Sequence, residues 1–236
     1  LTILGVVVAL EIEARGLVEK SAIQGGWACL PEGIIVVISG NGAENGRLAA
    51  ENLLGKGATA LVTWGSAGAL QPTLLPGSVV LPEKILSPSQ TVFAVDIAWH
   101  RRLSDCLSEY FKLHTGPLFQ SPTILSSPLE KNNLFRQHNA IAVDMESAAV
   151  ATVARKEKVP FVTIRSVADT ADMIIPVSAL RAADEHGRLR LLRLFKCLTR
   201  NPKEIPSLFR LGRNFYAALN ALVSVRRIAG KKLMAP

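Results

Sequence analysis

Cysteine is scarce and unpatterned. Only Cys29, Cys106 and Cys197 occur in 236 residues, with no C-x-x-C spacing, so a disulfide framework and a zinc knuckle are set aside and a reducing, cytoplasmic setting is expected. No apolar run is long enough for a membrane span. The opening LTILGVVVAL covers ten residues without a basic stretch before it, which suits a core strand and not a signal peptide or anchor. Aromatics are sparse at 6%, and they are not interleaved with the basic residues as nucleic-acid binding would require. No metal site or cofactor is expected. The chain begins at Leu1 and not at Met, so it reads as a fragment or a trimmed chain.

Apolar residues, by contrast, are plentiful at 49%, enough for one α/β domain with a single large core. The net charge is +8, unevenly spread: from Arg188 to Lys232 there are twelve Lys/Arg against Glu204 alone, leaving fifteen basic and eighteen acidic residues elsewhere. We therefore divide the chain into a body, 1–187, and a basic, amphipathic helical extension of the same domain, 188–236. Within the extension one helix is expected over 188–198 and a second over 205–227, broken near Gly212.

Along the body, strands are expected at 1–10, 34–39 and 58–62, with another after Pro76-Gly77 and one centred on Thr123-Ile124-Leu125. Helices are expected at 47–54 and 100–110, while 86–99 reads as a loop with exposed Phe93 and Trp99. Gly40 to Gly46 follows a strand and precedes a helix, so it is either a plain tight turn or an anion-binding loop. Its spacing is neither G-x-G-x-x-G nor a P-loop.

The most informative stretch is 140–172. Ala140–Val143 reads as a buried strand, an alanine-rich helix runs to about Lys158, and Pro160–Ile164 restarts as a β-branched strand. That is a βαβ unit, and parallel sheets bind ligands beyond the carboxyl ends of their strands. Asp144, Glu146, Arg165 and Asp169 all fall at such ends.

Four stretches, GVVVALEIEA (5–14), the glycine turn at 39–46, TWGSAGAL (63–70) followed by PGSVV, and AVDMESAAVATVA with PFVTIRSVADTAD (142–172), give the chain its resemblance. It resembles the nucleoside phosphorylase and nucleosidase superfamily, which includes purine nucleoside phosphorylase and methylthioadenosine/S-adenosylhomocysteine nucleosidase. The tail RNPKEIPSLFRLGRN is similar to the hopanoid-associated phosphorylase branch. The resemblance implies a three-layer αβα sandwich with a mixed, mainly parallel sheet. It further implies cleavage of the N-glycosidic bond of an adenine nucleoside, with adenosylhopane the expected substrate. Methylthioadenosine/S-adenosylhomocysteine nucleosidase, general purine nucleoside phosphorylase and a non-catalytic nucleoside binder are the alternatives. Phosphate is a possible co-substrate, and a homodimer or larger homo-oligomer is implied.

By the same resemblance Asp169 is the acid for the departing base, a role that needs burial to raise its pKa. Glu146 would hold the ribose hydroxyls with Met145 against the sugar, and its charge would favour a cationic transition state. Glu13 would activate water, with Ser66, Ala67 and Gly68 lining the site. Arg165 is either a structural ion pair for Asp144 or Glu146 or a substrate contact. Thr63 stands where many phosphorylases carry Arg, which leans the reading toward hydrolysis, although Arg15 and Arg47 remain open as phosphate ligands. Ala168 replaces a serine before the acid. Thr123, beside Ile124, stands where the nucleosidases stack an aromatic on the base, a loss on the order of 1 kcal/mol.

A 5′ substituent that is large and apolar is expected to enter near Phe93 and Trp99. For the basic extension two readings stay open: packing on the body, or peripheral docking on the inner, anionic membrane surface, where each facing Lys or Arg contributes roughly 1 kcal/mol.

Overall fold

The computed structural model describes residues 2–19, 22–182 and 199–235. Strand β1, Leu4–Val8, is buried along its whole length, which is why its sequence is continuously apolar and does not alternate. It pairs in parallel with β3, Ile34–Ile38, and with β4, Ala60–Ala69. The edge strand β2, Trp27–Leu30, runs antiparallel to β3. On the far side come β5, Val79–Val80, β6, Lys84–Leu86, β7, Val92–Ala94, β8, Leu118–Gln120, and β9, Ala142–Asp144. The order is β2-β3-β1-β4-β9-β8-β6-β7, with β10, Phe161–Asp169, beside β4 and β5. The fold is a three-layer α/β sandwich with a mixed sheet whose central pairs are parallel.

Two strands meet at Gly68 of β4. Leu61 to Ala67 pair in parallel with β10, while Gly68 and Ala69 pair antiparallel with Val143 and Ala142 of β9. Gly68 also registers against Asp169 across a bulge in β10. A Cβ at Gly68 would lie 3.1 Å from Asp169 Oδ2 and 3.2 Å from Val143 Cγ1. Glycine at this junction lets the ends of β9 and β10 close on the same point.

Helices α1, Ala43–Gly55, and α4, Ser147–Glu157, pack on each other and on the sheet. Helices α2, Ile97–Leu107, and α3, Pro128–His138, and the short α5, Val177–Ala182, complete the body. The long α6, Ile205–Ala229, lies on β4 and β10 with α2 alongside. Among the described residues no helix is long and apolar enough to cross a membrane.

Several expectations are corrected. Strand β4 extends past the expected end at Val62 to Ala69, because β10 pairs with it as far as Gly68 and β9 pairs with Gly68 and Ala69. The segment 86–99 contains β7 and the start of α2, and Phe93 and Trp99 are buried. Trp99 Nε1 donates to Leu233 O, and Arg155 lies over the Phe93 ring. Neither lines the cavity described below, so they do not form a 5′ entrance. Thr123–Leu125 is a turn and not a strand: Pro122 has no N–H, and Ser121 Oγ donates to Thr123 O at 2.6 Å. Helix α6 passes Gly212 unbroken, since glycine's cost of about 1 kcal/mol is small beside the buried face from Asn214 to Ala229. The helix expected at 188–198 lies outside the described residues.

Candidate active site

The site grows from strand ends. Leu10 and Glu13 belong to the chain just after β1, where residues Glu11–Ala14 form a 3₁₀ turn that folds Glu13 inward. Glu13 is 2% exposed. Its Oε1 accepts from Ser66 N at 2.9 Å and from Ser66 Oγ at 2.5 Å, and its Oε2 accepts from Leu10 N at 3.2 Å. Burial pushes the Glu13 carboxyl up, against the Ser66 hydrogen bonds and the Arg165 charge.

Glu146 sits between β9 and α4, also buried, and its Oε1 accepts from Gly42 N at 2.8 Å. The glycine-rich turn therefore does present an amide to an anion, and that anion is the protein's own carboxylate. Gly46 is part of the same contact, since a Cβ there would meet Glu146 Cβ at 3.0 Å. Burial and the neighbouring Asp144 push Glu146 up to about 7, opposed by Arg165 and the Gly42 amide.

Arg165 is the cation among these acids. Its Nε and Nη2 donate to Asp144 Oδ2 at 3.0 and 2.5 Å, and Nη2 lies 3.7 Å from Glu146 Oε2. Asp144 also accepts from Ser147 Oγ, which lies 3.0 Å from Thr63 Oγ1; Thr63 Oγ1 in turn donates to Thr163 Oγ1 at 2.9 Å. The result is a fully buried, hydrogen-bonded network with three carboxylates and one guanidinium, a balance that favours proton uptake. Arg165 is ion-paired with Asp144 and also lines the cavity described below. Arg47 instead pairs with Glu44 and Glu51 at the surface, and Arg15 is exposed outside the cavity.

Asp169 closes β10, and its side chain is 13% exposed. It caps no helix; Lys131 Nζ donates to its Oδ2 at 2.5 Å. Burial pushes the Asp169 carboxyl up, and the ammonium pulls it partly back. Lys131 escaped the sequence reading because α3 did. The signal was present: Ser127-Pro128-Leu129-Glu130 forms a capping box with Pro at the first turn.

A cavity of about 170 Å³ joins these groups. Its walls include all nine residues singled out from sequence: Glu13, Ser66, Ala67, Gly68, Ile124, Met145, Glu146, Arg165 and Asp169. Lys131, Asn41, Leu125 and Ile175 add to them. Among the described residues no group of three or more His, Cys, Asp or Glu is arranged to hold a metal ion. Chemically, the cavity offers carboxylates with elevated proton affinity, and both its cationic side chains are already paired.

The chain is similar to several known proteins. The 5′-methylthioadenosine/S-adenosylhomocysteine nucleosidase of Buchnera aphidicola subsp. Baizongia pistaciae is 25% identical over 169 residues, 61% of this chain and 66% of that protein. The corresponding enzyme of Baumannia cicadellinicola is 28% identical over 202 residues, 73% of this chain and 88% of its own length. Among solved structures, Helicobacter pylori 5′-methylthioadenosine/S-adenosylhomocysteine nucleosidase with butyl-thio-DADMe-Immucillin-A superposes with a TM-score of 0.68 at 18% identity, covering 96% of this chain and 98% of that one. Futalosine hydrolase of the same organism gives 0.68 at 18% identity over 96% and 97%. The profile of the Phosphorylase superfamily matches residues 31–200, most of the chain, and the chain belongs to that superfamily.

Proposed function

We propose that the protein cleaves the N-glycosidic bond of an adenine nucleoside by hydrolysis, releasing adenine. The observation that carries this reading is the convergence of Asp169, Glu146 and Glu13 on one cavity. In it, Asp169 gives a proton to purine N7 as the bond to the anomeric carbon breaks, so the electron pair leaves on a neutral base. Glu146 accepts the 2′- and 3′-hydroxyls, and its charge stabilises the oxocarbenium-like sugar, with Met145 against the ring. Glu13, oriented by Ser66 and Leu10, takes the proton of the attacking water.

Water is favoured over phosphate on electrostatic grounds. A phosphate dianion would enter beside Glu13, Asp144 and Glu146, and the cavity's cations, Arg165 and Lys131, are committed to Asp144 and Asp169. Among the described residues lining it, no third cation is at hand.

For the 5′ substituent we take a large apolar group, adenosylhopane first. Support comes from the tail resemblance at 200–214 and from Leu10, Ile124, Leu125 and Ile175 around the cavity. Docking of the basic C-terminal segment at an anionic membrane and assembly into a homo-oligomer belong to the same reading. A second reading, a methylthioadenosine/S-adenosylhomocysteine nucleosidase, is favoured by the curated relatives at 25% and 28% identity.

Adenine release from adenosylhopane and from 5′-methylthioadenosine, each with and without phosphate, tests all of this. Phosphate-independent release from adenosylhopane is expected. Release only with phosphate overturns hydrolysis, release only from methylthioadenosine overturns the lipid substituent, and no release from either overturns the enzyme reading.

A further inference from the structure

Lys131 is wholly buried, yet it stands in the first turn of α3, where the helix's own partial charge disfavours a cation. Its location is accounted for by what its ammonium reaches. Nζ donates to Asp169 Oδ2 at 2.5 Å, to Thr170 O at 2.7 Å and to Met173 O at 3.3 Å. An ammonium has three protons and no lone pair, so these bonds use it completely. It has no proton left to read a ligand directly.

We propose that Lys131 is a positioning residue that fixes which oxygen of Asp169 carries the catalytic proton. This rests on Asp169 being the acid proposed above. Oδ2 faces an N–H donor and cannot present a proton there. The carboxyl proton is thereby confined to Oδ1, which has no hydrogen-bond partner among the described residues, on a side chain that lines the cavity. The two carbonyls hold the ammonium in place in either protonation state of the acid. As the glycosidic bond breaks, its electron pair passes to the purine, the Oδ1 proton moves to N7, and the carboxylate left behind forms a full ion pair with Lys131. That pair gains strength as the proton leaves, which is the condition for lowering a barrier and not only aiding binding. Glycine at position 68 leaves the space that the carboxylate occupies, since a Cβ there would lie 3.1 and 3.2 Å from its two oxygens.

The test is the pH dependence of adenine release in Lys131→Met, Lys131→Gln and Asp169→Asn, each checked for folding by circular dichroism. In Lys131→Met, kcat is expected to fall about 10- to 100-fold with KM within about threefold. Its alkaline limb should move up by about one unit or more, because the acid has lost its neighbouring cation. Lys131→Gln keeps a neutral donor toward Oδ2, so its limb moves likewise while kcat falls less. Superimposable profiles for wild type and Lys131→Met overturn the proposal while leaving the acid assignment standing. Undiminished turnover in Asp169→Asn overturns the assignment itself. Should the Lys131 variants not fold, the wild type decides: with 15N-lysine labelling, one exchange-protected ammonium resonance, missing from Asp169→Asn, is expected to shift with the midpoint of the alkaline limb. No such resonance, or one that ignores that midpoint, overturns the proposal.

Discussion

The amide of Gly42 donates a 2.8 Å hydrogen bond to Oε1 of Glu146, fastening the start of α1 to the start of α4 across 104 positions of chain. The bond fixes one carboxylate oxygen and leaves Oε2 beside Arg165 on the cavity wall. A glutamine at this position keeps the acceptor for Gly42 but loses the charge that the proposed cationic sugar needs. Glu146→Gln is accordingly expected to fold normally and to lower kcat/KM for adenine release about 100-fold, equivalent to about 2.7 kcal/mol of transition-state binding. Steady-state kinetics check it, and a variant within about twofold of wild type would remove Glu146 from the mechanism.

The same residue makes stability depend on pH. Glu146 is raised from 4.5 to about 7 in the folded chain, so between those values the native state holds a proton that the unfolded chain has released. A carboxyl shifted upward stabilises the fold below its unfolded pKa, and that contribution disappears as pH climbs through the folded value. Its size is on the order of 3 kcal/mol. His114, lowered by burial, tilts the other way, but it is present in both proteins when Glu146→Gln is the reference. Urea unfolding at pH 5 and pH 8 should show wild type losing more stability than the variant on going to pH 8. Equal losses in the two proteins would contradict the elevated pKa.

Gly65 is the third test. A Cβ there would lie 2.7 Å from both Arg165 Nη1 and Glu13 Oε2. Both are held side chains inside a packed network, so the methyl group can be accommodated only by displacing the proposed base or its neighbouring cation. Gly65→Ala should cost about 1–3 kcal/mol in urea unfolding and reduce turnover by about tenfold or more. Wild-type stability together with wild-type turnover would show that Glu13 is not held where the cavity places it.

Much of the framework was readable in advance. The β9–α4–β10 unit announces itself through two apolar runs flanking an alanine-rich segment, and its charges fall at the strand ends, because buried parallel strands tolerate polar residues only where they emerge. Resemblance supplied the remaining candidates, and all nine reached the cavity wall. Local pattern misled where long-range pairing intervened. Gly65–Gly68 have weak strand propensity but are held in the sheet by β10, with β9 joining at Gly68. Trp99, in a segment that read as an exposed loop, is covered by the returning C-terminal chain at Leu233.

Residue types and their order thus dictated which groups can donate or accept a proton, since an acid at a strand end is a local fact. Their proton affinities and their meeting were not local. Asp169 and Glu146 approach one cavity because β9 and β10 both pair with β4 at Gly68, where no side chain keeps their ends apart. Glu13 is buried by a 3₁₀ turn, and Lys131 arrives from a separate helix to meet an acid 38 positions away. Burial, which sets those carboxyls above their solution values against the pull of Arg165 and Lys131, comes into being only when distant segments pack.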